Sequence, residues 1–131
     1  MRAETDAGAG ETPDYDARAL ELGREAATAR EAFDPPAELP AEERALSYLR
    51  RGAGPVVALY VEARTGGEQV AFDPEAWDAL ERALNDWLAL YARCYGVEMD
   101  PGFTVREAAE LLVRTHDIAD VAQLLTCVPE R

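Results

Sequence analysis

Trp77, Leu80, Leu84, Trp87, Leu88, Tyr91 and Tyr95 recur at spacings of three and four residues along one stretch of this chain, with Leu88 directly beside Trp87. That spacing stacks them on one face of an α-helix. The signals at its ends agree. Asp73 stands at the N-cap, Pro74 occupies the first helical position, where its missing N–H is not needed, and Gly96 stands at the far end. Phe72 is placed to staple onto Trp77. A helix with so large an apolar face must lie at the centre of the molecule, and the rest of the chain must supply the surfaces that cover it. Glu81, on the opposite face, is expected to be exposed. A length of 131 residues suits one domain that buries its core without disulfides or a structural metal.

Tyr15, Ala19, Leu22, Ala26, Ala29 and Phe33 form a second stripe, rich in alanine and carrying Gly23, which permits close helix approach and ends at Asp34-Pro35-Pro36. Another helix is expected from Pro40 to Arg51, with Glu42 and Glu43 at its start, Arg50 and Arg51 at its end, and Gly52 as the stop. Next, Val57, Leu59, Val61 and Ala63 alternate with Ala58, Tyr60, Glu62 and Arg64, and Gly66-Gly67 separates them from Gln69-Val70-Ala71-Phe72. Read as a β-hairpin, this pairs Ala63 with Val70 and Val61 with Phe72 on one face and leaves Tyr60, Glu62 and Arg64 on the other. Thr104-Val105-Arg106-Glu107 is a capping box opening a helix with Val105, Ala108, Ala109, Leu112 and Val113 inward. Asp117 caps a last helix whose inward residues are Ile118, Val121, Ala122, Leu125 and Val128, and whose outward ones are Ala119, Asp120, Gln123 and Thr126. The reading is a single α+β domain over residues 13–131, with about five α-helices and one β-hairpin between the second and third. Residues 1–12 are expected to be a disordered acidic tail.

Asp and Glu number 26 against 13 basic residues, every one of them arginine, for a formal net charge of -13. Self-repulsion of that size opposes compaction and is relieved by strong salt, so the composition points to a salt-rich cytoplasm and a halophilic archaeal source. It also disfavours nucleic acid and anionic membranes as partners, because no basic stripe is present to release counterions. No run of about 18 apolar residues occurs, and the N-terminal segment lacks the apolar core of a secretory signal. A cytoplasmic protein is expected.

Few side chains invite chemistry. His116 is the only histidine and sits where a capping group at a helix C-terminus is expected, beside Asp117, the following N-cap. Cys94 and Cys127 are too far apart for a metal knuckle and read as small hydrophobes. Arg50-Arg51-Gly52-Ala53-Gly54-Pro55 runs from a helix into a strand, the reverse of a phosphate loop, and reads as a helix end. The helix pair over residues 104–128 has the outline of a helix-turn-helix, but its outward row offers one base reader beside a charge that repels phosphate. What remains is the outer face of the hairpin, where Tyr60, Glu62 and Arg64 set a carboxylate beside a guanidinium and a ring. These three are the candidate interaction surface. No catalytic, metal-binding or cofactor-binding residue is assigned, and no cofactor is expected.

The stretches Tyr60-Val61-Glu62-Ala63-Arg64-Thr65-Gly66-Gly67, Leu90-Tyr91-Ala92-Arg93-Cys94-Tyr95-Gly96 and Thr104-Val105-Arg106-Glu107-Ala108-Ala109-Glu110-Leu111 resemble a family of small acidic haloarchaeal proteins carrying a domain of unknown function, from about residue 14 to the end. The resemblance implies a soluble single domain and carries over no activity, cofactor or site residue. The expected function is a non-enzymatic protein–protein interaction module. The alternatives are a transcription-associated protein using residues 104–128 as a helix-turn-helix, and a small enzyme built on carboxylates and arginines. The unpaired amides and carbonyls along Val56, Val57, Ala58 and Leu59 call for a cover, expected to be a second copy in a homodimer through the hairpin edge, or else an unknown protein partner.

Overall fold

A computed structural model describes residues 14–65 and 71–130. Every regular element in them is helical: α1 (Tyr15–Ala32), α2 (Glu42–Tyr48), a π-helical turn (Leu49–Ala53), α3 (Gly54–Thr65), α4 (Pro74–Arg93), α5 (Val105–Thr115) and α6 (Ile118–Thr126). Because α2, the π turn and α3 follow one another without a break, these amount to five helical segments. The α+β reading is overturned, since residues 57–64, expected as the first strand of a hairpin, form the body of α3. Gly66-Gly67 and residues 68–70, the expected turn and start of the second strand, lie outside the described residues, as does the 1–12 segment. No strand occurs among the described residues, so the strand edge at residues 56–59 on which a second copy was expected to pair is not there.

Alternation and helical spacing coincide over a short apolar run, and burial decides between them. Val56, Val57, Leu59 and Ala63 are buried whereas Ala58, Glu62 and Arg64 are exposed. Offsets of one, three and seven from Val56 share a face on a helix and not on a strand. Gly52, expected as the stop of the preceding helix, instead lies inside the π turn. There the Gly54 N–H donates to the carbonyl of Leu49, five residues back. The widened turn delivers Pro55 to the start of α3, where its missing N–H and its ring are tolerated. Packing is what requires glycine at position 52: a Cβ there would lie 2.2 Å from Cδ2 of Trp87. The indole rests against the backbone of the π turn.

α4 is the central element, with Leu80, Leu84, Leu88 and Leu90 each at most 2% exposed. Its expected staple forms, the Phe72 and Trp77 rings lying 6.1 Å apart. The Asp73 side chain does not cap the helix, however; the Asp73 N–H donates to Oδ1 of Asp16 on α1 at 3.1 Å. α1 runs parallel to α4, because the Asp16–Asp73, Gly23–Ala79 and Arg30–Asp86 contacts keep a sequence offset of 56 or 57. A Cβ on Gly23 would come within 3.2 Å of the Ala79 Cβ, the close approach that the alanine-rich stripe implies.

α5 opens with the expected capping box between Thr104 and Glu107. Glu81 is half-buried rather than exposed: its Oε2 accepts the Val105 N–H at 3.1 Å, adding a second cap from α4. Nearby, the Asn85 amide accepts the Phe103 N–H and donates to the carbonyls of Phe103 and Glu81, each at 2.9 Å. α5 also packs against α3, and α6 against α5 and the π turn. His116 and Cys127 close α5 and α6 in the left-handed region, at φ of 57° and 61°. Two burial expectations fail here. Thr126 is buried, its hydroxyl donating to the Ala122 carbonyl at 2.7 Å, and Val113 is 64% exposed.

Candidate functional site

The side-by-side packing of α3 and α5 leaves a groove of about 550 Å³ between them. α3 supplies Tyr60 and Arg64, four residues apart and therefore on one face, with the Arg64 guanidinium carbon 5.9 Å from the centre of the Tyr60 ring. Glu62, two residues from each, is rotated about 200° around the helix and stays out of the groove. The hairpin reading put Tyr60, Glu62 and Arg64 on one face; the helix keeps two of them together and separates the third. On the facing wall the capping box fixes the register of α5, so that Arg106, Glu110 and Arg114 follow at four-residue steps with Ala109 and Val113 between them. Val61, Ala109 and Val113 give the groove its apolar lining. A smaller depression of about 280 Å³ adjoins it, sharing Tyr60, Arg64 and Arg106 and adding Phe72 and Trp77. The Tyr60 and Trp77 rings stand 5.7 Å apart.

Among the described residues three guanidinium groups and one carboxylate line the groove. Glu110 pairs with Arg106 at 3.5 Å, but among the described residues Arg64 and Arg114 have no carboxylate within ion-pair distance. Arg24, Arg50, Arg51 and Arg82 likewise have no carboxylate within ion-pair distance among the described residues, but none of them lines the groove; three further arginines are engaged. Arg30 donates to the buried Asp86 at 3.0 Å, and the guanidinium carbons of Arg44 and Arg93 each lie 4.7 Å from the centre of the Phe33 ring. Arg106, Arg114 and Val113 were missed from sequence, although an Arg-Glu-Arg series at four-residue steps beside a valine marks a charged helix face with an apolar member.

The groups whose protonation the fold shifts lie outside the groove. Burial pushes the Tyr91 phenol up, with Tyr95 adding to the effect, and its hydroxyl donates to the Val128 carbonyl at 2.6 Å. Burial likewise pushes the Cys94 thiol up against the opposing pull of Arg44. Cys94 is buried and Cys127 exposed, and both are free thiols. The Asp73 carboxyl is held above the usual range by hydrogen bonding to, and repulsion from, Asp16. His116 is the left-handed cap of α5, its N–H donating to the Leu112 carbonyl at 2.7 Å. α6 bears no cationic side chain. Among the described residues no group of three His, Cys, Asp or Glu side chains is arranged to hold a metal ion, and no helix is long and apolar enough to cross a membrane.

Residues 13–130 match the family described as Domain of unknown function (DUF8055). The chain belongs to this family. The DUF8055 match spans every helix from α1 to α6 and so takes in both walls of the groove. The family description assigns no activity, in agreement with the resemblance read from the sequence. No curated protein and no solved structure matches the chain.

Proposed function

We propose that this DUF8055 chain is a non-enzymatic interaction module that recognises an anionic partner through the groove between α3 and α5. The observation that carries the reading is the placing of Arg64 and Arg114, without carboxylate partners among the described residues, in one concave surface of a chain whose acids outnumber its arginines by 26 to 13. A surface of net charge -13 repels an anion. Three guanidinium groups over an apolar lining attract it at one place and orient it. Binding rather than turnover is favoured by the lining itself. Among the described residues its one carboxylate is paired with Arg106, its Thr65 hydroxyl donates back to the Val61 carbonyl at 2.8 Å, and no histidine or cysteine lines it. We assign the module to a reducing, salt-rich cytoplasm such as that of haloarchaea, a reading supported by the free thiols and the acidic, lysine-free composition.

The test is a heteronuclear NMR titration of the full chain with phenyl phosphate, a small anion with an apolar body. Shifts should concentrate on α3, α5 and the side-chain Nε of Arg64, Arg106 and Arg114. They should vanish in Arg114→Glu, whose circular dichroism should match that of the parent. Shifts spread evenly over all arginines would refute the reading.

A further inference from the structure

The groove selects for more than charge. Arg114 follows Arg106 by eight positions on α5, so their backbones stand about 12 Å apart along the helix axis. An extended ligand with two anions meets both without drawing their side chains together. Between them, over the buried Ala109, lies the 64%-exposed Val113, apolar surface that a purely ionic ligand would leave wet. On the opposite wall Arg64 and Tyr60 border the aromatic depression formed with Trp77. The occupant must therefore present anions separated by roughly two helical turns, with aliphatic groups between them and a bulky group at one end.

We propose that the groove is the docking site for an acidic amphipathic helix of a partner protein, an inference that rests on the anion-binding reading above. A third helix seated between two packed helices lays its apolar ridge along their shared groove. Acids about seven or eight residues apart on its flanks then meet Arg106 and Arg114, while leucine-sized side chains three and four residues apart cover Val61, Ala109 and Val113. The net charge favours an acidic partner over a basic one on grounds of specificity. A basic helix is attracted by most of a surface carrying -13, but an acidic helix is repelled by most of it and attracted where the guanidinium groups gather.

Three probes test the proposal against the full chain. The first is a capped peptide of about 16 residues with leucines three and four apart and glutamates about seven apart; the second is its scrambled isomer, which lacks an apolar face; the third is phenyl phosphate. The amphipathic peptide should bind about tenfold more tightly than its isomer, gain helicity on binding and shift the resonances of α3 and α5. Val113→Glu and Arg114→Glu should each weaken it by about tenfold or more, and since both side chains are exposed, circular dichroism should show an unchanged fold. Equal affinity for the two peptides, or binding of phenyl phosphate at these residues with no response to either peptide, overturns the helix while leaving the anion-binding reading intact. No binding by any probe overturns both. A doubled mass in the absence of peptide that reverts to monomer in Arg114→Glu assigns the groove to a second copy and overturns the partner helix.

Discussion

Of the described glycines Gly52 has the least room for a side chain, and opposing effects at its contact with Trp87 can be weighed. Replacing a glycine inside a helix by alanine ordinarily stabilises by about 1 kcal/mol. Here the new methyl would sit 2.2 to 2.6 Å from three indole atoms, so the ring must leave its place, at a cost of about 1–3 kcal/mol or more. Gly52→Ala should therefore lower the urea midpoint with little change in slope. In a Trp87→Ala background, itself about 3–5 kcal/mol less stable, the same substitution should stabilise. A double-mutant cycle showing the same sign in both backgrounds would mean that the indole does not rest on this turn. Asp73 offers a second residue-scale test. Asp16 holds its carboxyl above the ordinary range, so the folded state keeps that proton more tightly than the unfolded chain. The resulting stabilisation is present at acid pH and is lost as pH rises through the raised value. Asp16→Asn keeps an oxygen for the Asp73 N–H and removes the repulsion. Carbon-detected NMR should then find Asp73 titrating in the usual carboxylate range; an unmoved titration would assign the shift to another cause.

Among the elements, α3 discriminates most sharply between two readings of the same residues. Ala58 is exposed midway along it. Ala58→Thr should cost about 0.5 kcal/mol through lost helix propensity, whereas in a strand the same change would stabilise, and thermal melts read the sign. The stripe of α4, the alanine–glycine face of α1 and the capping box of α5 were all legible in the sequence because each signal is local to its own helix. The continuity of α2 into α3 was not. Gly52, Gly54 and Pro55 spell a stop, and the reason the chain runs through them is a tryptophan 35 positions further along (87 − 52). Tyr60 and Arg64 were legible as a surface pair. Glu62 joins them only under the alternation of a strand; on the helix it lies about 200° around the axis from each. Arg106, Arg114 and Val113 join the site through the contact of α3 with α5, which no local pattern reports, and Val113 had been assigned to the core as the continuation of an apolar stripe. The same blindness made Glu81 look idle. Its partner is the amide of Val105, 24 residues away. Glu81→Ala should accordingly cost about 1 kcal/mol, as losing a cap does, rather than the negligible amount expected of an exposed site.

At the scale of the whole molecule, the net charge of -13 acts on stability and on recognition in opposite directions as salt rises. At about 0.1 M salt the Debye length is about 10 Å, so carboxylates on neighbouring helices repel one another through solvent; at about 1 M it is about 3 Å and the repulsion is confined to contacts such as Asp16–Asp73. Screening therefore removes a penalty that the alanine-rich interface of α1 with α4, extensive as it is, is poorly equipped to offset, since alanine buries little area per residue. Helicity or melting temperature should rise between about 0.1 M and about 3 M KCl, and a flat profile would show that the acids are already compensated within the fold. The same screening weakens the long-range pull of Arg64, Arg106 and Arg114 on an acidic helix, while the apolar lining contributed by Val61, Ala109 and Val113 keeps its effect, because burial of aliphatic surface is not screened. Peptide affinity should then fall with salt at first and level off once the charges are screened, with Val113→Glu removing the level part and Arg114→Glu reducing the steep part. An affinity that falls without limit would mean that charge alone holds the ligand and that the exposed Val113 takes no part in binding.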